Sequence, residues 1–241
     1  LILVNVGGSP DAGIVAFDAK TGATAWKLSG ERASYSAPTS TVIDGKPYAI
    51  FATRYNALAV EPNSGQVRFR FPFGKRGPTV NAATPTVLDD TVFLRAAYGV
   101  GCVMARVDKQ QPEIIWSNDS TLSSQYNTPV YYGQHLYGIN GREDVGQAEL
   151  RCVEAATGQV RWTESGFGVA HIVIAQDMML LLTIDGTLVL AKADPARFQP
   201  IARTRISSAT TRALPALSNG RLFVRDSGRS DGSLVCLQVG Q

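Results

Sequence analysis

At 241 residues the chain is long enough for one large all-β domain or two smaller ones. Apolar residues make up 44% and charged residues 18%, the balance of a packed globular chain and not of a disordered one. The 23 Lys and Arg stand against 20 Asp and Glu with no basic run longer than two or three residues, so a mixed-charge solvated surface is expected in place of a nucleic-acid footprint. The longest apolar stretch, around Met178 to Ile184, is too short to span a bilayer. The chain opens on Leu1 without an initiator Met, a signal peptide or a lipidation motif, and so reads as an excised or processed piece. Cys102, Cys152 and Cys236 lie far apart in strand-like runs without metal-ligand spacing, which predicts buried free thiols.

In chain order, LILVNV is a predicted strand, and GIVAFDAKTGATAW (Gly13 to Trp26) is a strand, a turn and a second strand ending on tryptophan. Pro38 then introduces TVIDGKPYAIF, two strands about a tight turn, and ALAVEPNSGQVRF repeats the first unit. The cycle continues with Pro85, TVLDDTVFL and VMARVDKQQPEIIW, then with Pro129, YGQHLYGI and LRCVEAATGQVRW. In a fifth round Ile172 stands where the proline is expected, followed by AQDMMLLL and the degenerate LVLAKADPARFQPI. Pro215, SNGRLFV and SLVCLQV close the series. Aligning the copies pairs Asp18, Glu61, Asp108 and Glu154, and eight residues after each comes Trp26, Phe69, Trp116 or Trp162. Two markers sharing a period of about 40–45 residues define a four-strand repeat. Its strands are named A to D here, from inside to outside, with the acid on C and the aromatic on D.

Each marker has a mechanical reading. Gly22, Gly65 and Gly158 can take positive φ and close the C–D hairpin with a bulge. The acid before the turn can accept hydrogen bonds from its amides. The tryptophan has the area to wedge between neighbouring repeats, and its N–H then needs a partner in the adjoining one.

The pattern A-x-D-x-x-T-G-x-x-x-W resembles the repeat of pyrroloquinoline-quinone (PQQ) dehydrogenases and their non-enzymatic relatives. Those relatives include BamB-type outer-membrane assembly lipoproteins and the secreted PQQ-like repeat proteins of planctomycete-type bacteria. The resemblance spans the chain, with clear cores at 13–26, 58–69, 103–116 and 150–162. It implies an all-β fold, a β-propeller of four-stranded antiparallel blades, of which this chain would hold the later blades of a seven- or eight-bladed ring. The expected layout is one domain over 1–241, with partial blades at 1–34 and 208–241 and whole blades at about 35–78, 79–122, 123–167 and 168–207. An open arc, or one completed by further residues, is expected; a closed six-bladed ring is the alternative.

The resemblance also says what a quinone enzyme needs: a Ca²⁺ site of acidic and amide oxygens, an Asp base and a stacking Trp, usually with a disulfide between adjacent cysteines. This chain has no Cys-Cys pair, and its three tryptophans all occupy the strand-D position. No catalytic, cofactor-binding or metal residues are therefore expected, and PQQ with Ca²⁺ stays as the alternative. His135 and His171 fall in different repeats, outside any metal motif. A protein- or polymer-binding scaffold is the leading expectation, with no nucleic-acid partner and no transmembrane segment. The resemblance places it in the periplasm or outside the cell. A quinoprotein dehydrogenase or cofactor-binding remnant, and the sensor domain of a larger receptor, are the alternatives. The candidate rim comprises the B–C and D–A connections: Arg54, Tyr55, Asn81, Tyr98, Tyr126, Arg142 through Asp144, His171, Arg212, Arg225 and Asp226. The plain alternative is ordinary solvated loops, with Arg225 and Asp226 as a local ion pair.

Overall fold

Alternating apolar residues punctuated by short polar turns favour antiparallel hairpins. The computed structural model describes residues 1–241 apart from Ser9, Pro78, Arg229, Ser230, Gly240 and Gln241, and the described residues form strands and turns with no helix. The chain divides into two compact units, Leu1–Tyr126 and Asn127–Gln241.

The first unit holds three sheets. They are β1 (Ile2–Val6), β2 (Gly13–Phe17) and β3 (Thr24–Ser29); β4 (Thr39–Ile43), β5 (Lys46–Ala52), β6 (Asn56–Val60) and β7 (Val67–Pro72); and β8 (Thr86–Leu88), β9 (Thr91–Ala96), β10 (Gly101–Arg106) and β11 (Glu113–Asn118). The second unit repeats the plan with β12 (Val130–Tyr132), β13 (His135–Arg142), β14 (Gln147–Glu154) and β15 (Val160–Glu164); β16 (Ala170–Ala175), β17 (Met178–Thr183), β18 (Thr187–Lys192) and β19 (Pro200–Arg205); and β20 (Ala216–Ser218), β21 (Arg221–Arg225) and β22 (Leu234–Gln238). Every sheet is an antiparallel meander in which sequence neighbours pair. Four sheets carry strands A to D, the first carries B to D, and the last carries A to C. These are propeller blades, the fold class the repeat predicts.

The prolines set where strand A begins. Thr39, Thr86, Val130 and Ala216 each follow a proline and open a strand of three to five residues. With Ile172 in place of proline an N–H is restored, and β16 extends to six residues, pairing Ala170 with Thr183 and His171 with Leu182.

The C–D turns close as predicted in the copies that keep the threonine- or serine-glycine pair. Gly22, Gly65 and Gly158 have φ of 73°, 75° and 73°, and each donates its N–H at 2.9 Å to the carbonyl of the acid four residues earlier. Asp18 Oδ1 accepts from Lys20 N (3.0 Å), Thr21 N (2.8 Å) and Thr21 Oγ1 (2.8 Å). Glu61 accepts from Asn63 N (3.1 Å) and Ser64 N (2.7 Å), and Glu154 from Thr157 Oγ1 (2.5 Å). Asp108 departs from the expectation. Its turn reads DKQQPE, Oδ1 takes no hydrogen bond among the described residues, and its main-chain oxygen accepts instead from Arg68 Nη2 at 2.7 Å.

The turn bonds, led by the Thr21 amide, hold the Asp18 carboxyl below its usual range. A carboxyl depressed on folding stabilises the turn above its unfolded pKa, and that contribution is lost as pH falls through the lower folded value. An NMR titration is expected to show the Thr21 amide shifting with a midpoint below 3.8, and Asp18→Asn to remove that shift. A midpoint at or above 3.8 would refute the cap.

Strand D runs past its aromatic instead of ending there. Trp26, Phe69, Trp116 and Trp162 pair with Ala16, Ala59, Met104 and Cys152 of strand C, and the register shifts at the very next C-strand residue in all four. The bulge absorbs the extra turn residue, after which the ladder has two or three more partners to use. The indoles then cross to the next blade: Trp26 Nε1 donates to Pro62 O (2.8 Å) and Trp162 Nε1 to Asp194 O (2.9 Å). Trp26 also covers the next turn, where a Cβ on Gly65 would stand 2.7 Å from its ring.

Inner strands are apolar on both faces because each face meets a neighbouring blade. Ala57 and Ala59 of β6 pack with Val92, Leu94 and Ala105 of the third sheet. Leu58 and Val60 of the same strand turn to Ile14, Leu28 and Trp26 of the first sheet. Leu182, Leu222 and Val224 form the corresponding layer between the last two sheets. Full burial of each Leu, Ile or Val contributes about 1.5–3 kcal/mol. Cys102 and Cys152 are buried free thiols as predicted, but Cys236 is exposed on β22, the outermost strand of its three-stranded sheet.

Candidate functional site

An antiparallel meander places A–B and C–D turns at one end of a sheet and B–C and D–A connections at the other. Main-chain bonds tie each end together. At the turn end Val107 N donates to Asp90 O and Ala193 N to Asp177 O, both at 2.8 Å. At the opposite end Arg54 N donates to Arg32 O, Phe73 N to Tyr55 O and Tyr35 N to Asn81 O, all at 2.9 Å.

The second end of the first unit is organised by a carboxylate that the sequence did not single out. Glu31 is 2% exposed; its Oε2 accepts from Thr53 Oγ1 (2.9 Å) and Asn56 Nδ2 (3.1 Å), and its Oε1 pairs with Arg70 Nε at 2.8 Å. Asn5 joins the same knot, with Nδ2 donating to Gly13 O at 3.0 Å and Glu31 O at 3.3 Å. Asn81 is 2% exposed and gives its amide to Thr53 O (2.7 Å) and Phe73 O (3.2 Å), so it braces two connections and is spent on backbone.

Arg54 and Tyr55 lie together at the surface of this frame. The guanidinium stands 5.6 Å over the Tyr55 ring, with Nε donating to the phenol oxygen (3.2 Å) and Nη2 to Gly77 O (2.5 Å). That hydrogen bond, joined by the charges of Arg54, Arg32 and Arg76, holds the Tyr55 phenol below its usual pKa. Tyr98 is exposed in the β9–β10 turn and accepts from Gln125 Nε2 at 2.6 Å, and Tyr126 is half-buried in the β11–β12 connection. Arg95, at the inner end of β9, is 2% exposed opposite Cys102 in the ladder, and burial pulls its guanidinium down to about 9. The visible signal was an arginine inside the apolar run VFLRAA.

In the second unit, His171 is 7% exposed and its Nε2 meets the Arg212 carbonyl at 2.8 Å. The Arg212 side chain reaches Glu143, with Nε–Oε2 at 3.1 Å, and Arg142 pairs with Asp144, with Nε–Oδ1 at 2.9 Å. A cleft of about 310 Å³ lies beside them, lined by Arg142, Glu143, Phe167, Asp185 and Arg203. The Thr183 hydroxyl bonds to Asp185 and lowers its carboxyl. The expected Arg225–Asp226 ion pair does not form among the described residues. Asp226 accepts from Ser207 Oγ (2.7 Å) and Ser233 N (2.9 Å), which lower its pKa, while Arg225 points to solvent at the end of β21.

Strand-C acids spent on turns, indoles spent on the following blade, and arginine–tyrosine loops at the opposite end define a PQQ-type repeat propeller. The sequence model of the family described as outer membrane protein assembly factor BamB matches residues 2–164, and the chain belongs to that family. Comparison with curated proteins finds none that matches. Among solved structures, a europium-containing methanol dehydrogenase is similar at 10% identity and TM-score 0.57, with 90% of this chain and 59% of that one covered. The computationally designed Ika8 protein is similar at 10% identity and TM-score 0.54, covering 95% and 79%. BamB from Moraxella catarrhalis is 16% identical over 88% of this chain and 76% of its own, with a TM-score of 0.49.

Proposed function

We propose that this chain is a non-catalytic scaffold that binds a protein partner in an extracytoplasmic compartment, through the B–C and D–A end of its blades. The observation that carries the reading is the employment of its conspicuous residues. Asp18, Glu61 and Glu154 cap turns, and Trp26 and Trp162 brace neighbouring blades, so blade construction accounts for them. Arginine and tyrosine, which often anchor interfaces, are what the loop end offers in their place. Family membership supports a protein partner, and the compartment follows from the same kinship. Among the described residues no helix is long and apolar enough to cross a membrane.

What counts against the quinone alternative is the placement of the tryptophans: Trp26, Trp116 and Trp162 all lie on outer strands, and Trp26 and Trp162 are engaged with the following blade, which leaves the loop end without a tryptophan for stacking. The test is a crosslinking pull-down from envelope extract, in which a saturable partner is expected. Arg54→Ala with Arg225→Ala should reduce capture about tenfold or more. Unchanged capture would move the partner off these two arginines, the absence of any saturable partner would overturn the scaffold, and stoichiometric uptake of PQQ and Ca²⁺ with dye reduction would replace it with a quinoprotein.

A further inference from the structure

Three connections of the first unit meet at one place. The 2.9 Å bond from Arg54 N to Arg32 O ties the β5–β6 turn to the segment after β3. Gly74 opens the β7–β8 connection so close to Arg54 that a Cβ there would stand 2.1 Å from its carbonyl oxygen. The bond from Arg54 Nη2 to Gly77 O (2.5 Å) holds the far side of that connection. These contacts bring the backbone of Arg32, Arg54 and Gly77, next to Arg76, to one end of the unit, where the charges of the three arginines, each 22 residues from the next in sequence, all act on the Tyr55 phenol.

Their charge is not answered locally. The adjacent acid, Glu31, is turned inward and matched by Arg70 at 2.8 Å. Among the described residues no carboxylate forms an ion pair with Arg32, Arg54 or Arg76. Lys75, the neighbour of Arg76, carries its Nζ to Gly99 on the side of the Asp119 carboxylate. Two tyrosines frame the patch: Tyr55 beneath Arg54, and Tyr35, 82% exposed and anchored by its N–H on Asn81 O.

We propose that Arg32, Arg54 and Arg76, framed by Tyr35 and Tyr55, form a docking surface for an acidic segment of a partner protein. The proposal rests on the scaffold reading and names the chemistry of its partner. Guanidinium groups take carboxylates through paired, planar hydrogen bonds, and the tyrosine faces cover the segment between its acids. Three charges in a compact group with aromatic neighbours suit a short acidic peptide. A nucleic acid or a lipid surface calls for a longer track of cations.

Fluorescence anisotropy on the whole chain tests this with a labelled peptide of alternating Glu and Ser and with its Gln counterpart. A single-stranded oligonucleotide of matched charge and phosphatidylglycerol vesicles are the other two probes. The Glu peptide is expected to bind and the Gln peptide not to. Replacing Arg32, Arg54 and Arg76 by Gln should weaken binding about tenfold or more. Replacing Lys20, Lys46 and Lys109 by Gln, which removes the same net charge from the turn end, should leave it within about twofold. If R54Q disturbs the loops, R32E with R76E, both at exposed positions, should abolish binding with the thermal midpoint unchanged. Equal loss in the two triple variants, equal binding of the Gln peptide, or tighter arginine-dependent binding of oligonucleotide or vesicles would overturn the proposal. Partner capture that persists in the arginine variant would also overturn it, while leaving the scaffold reading in place.

Discussion

Trp26→Ala is expected to lower the free energy of unfolding of this protein by about 3 kcal/mol in urea denaturation. The indole packs with Leu58, Val60 and Ile14 in the layer between the first two sheets, donates to Pro62 O at 2.8 Å and lies over Gly65. Trp26→Phe keeps most of the apolar area and gives up one hydrogen bond, so it should cost about 1–1.5 kcal/mol. Gly65→Ala should cost about 1–3 kcal/mol, since the residue has φ of 75° and its new methyl would press on the ring at 2.7 Å. In the double variant Trp26→Ala with Gly65→Ala the steric part disappears, and the loss should fall short of the sum of the singles. Full additivity would mean that ring and turn do not support each other.

Glu31→Ala should be nearly as damaging, at about 3 kcal/mol, the low end of the range for removing one member of a buried charge pair. The carboxylate is 3% exposed, whereas its partner Arg70 is 44% exposed and can turn to water when abandoned. The rest of the penalty falls on Asn56, whose amide loses the carboxylate as acceptor, and on fully buried Thr53, whose hydroxyl is left with Asn56 O at 3.2 Å alone. Glu31→Gln keeps the shape but puts an amide N–H₂ among donors, and should fall in between at about 1–2 kcal/mol. An unchanged urea midpoint for Glu31→Ala would show that the knot is ornamental to stability. The same variant should loosen the β5–β6 turn that carries Arg54, because Thr53 would lose one of its two anchors.

What the sequence revealed here is what short-range chemistry writes. The acids and glycines of the C–D turns are legible because donor and acceptor lie within four residues of each other. The tryptophans showed that a bond to a neighbour was needed, but which carbonyl accepts, Pro62 or Asp194, follows from the stacking of blades. Asp108 was assigned a cap by alignment alone, and a proline-containing turn without the glycine denies it one. The proline before strand A reads as a marker of position; its effect on strand length emerged only where Ile172 replaces it.

The loop end is legible in kind and illegible in detail. Arg54 and Tyr55 stood out as a charged and aromatic pair on a predicted turn. Arg32 did not, being a single cation in a polar connection, and Arg76 belongs to the Lys75–Arg76 pair, the densest basic stretch of the chain but too short to announce a site. Their association depends on main-chain contacts between connections that only the folded unit brings together. Asn81 and His171 looked like surface groups for the converse reason: sequence shows a polar residue in or beside a loop, not the carbonyls of Thr53 and Arg212 that occupy it.

The two indole bonds described both run forward along the chain, from Trp26 to a residue 36 positions later and from Trp162 to one 32 positions later. A ribosome adding about 5–20 residues per second therefore releases each of these outer strands roughly 2–7 s before its acceptor exists. For that interval the ring is wet and the outer hairpin is free to fray, however well its own strands have paired. Growth thus has a direction: each of these blades is finished by its successor, and a stall in translation between the two leaves the earlier one unlatched.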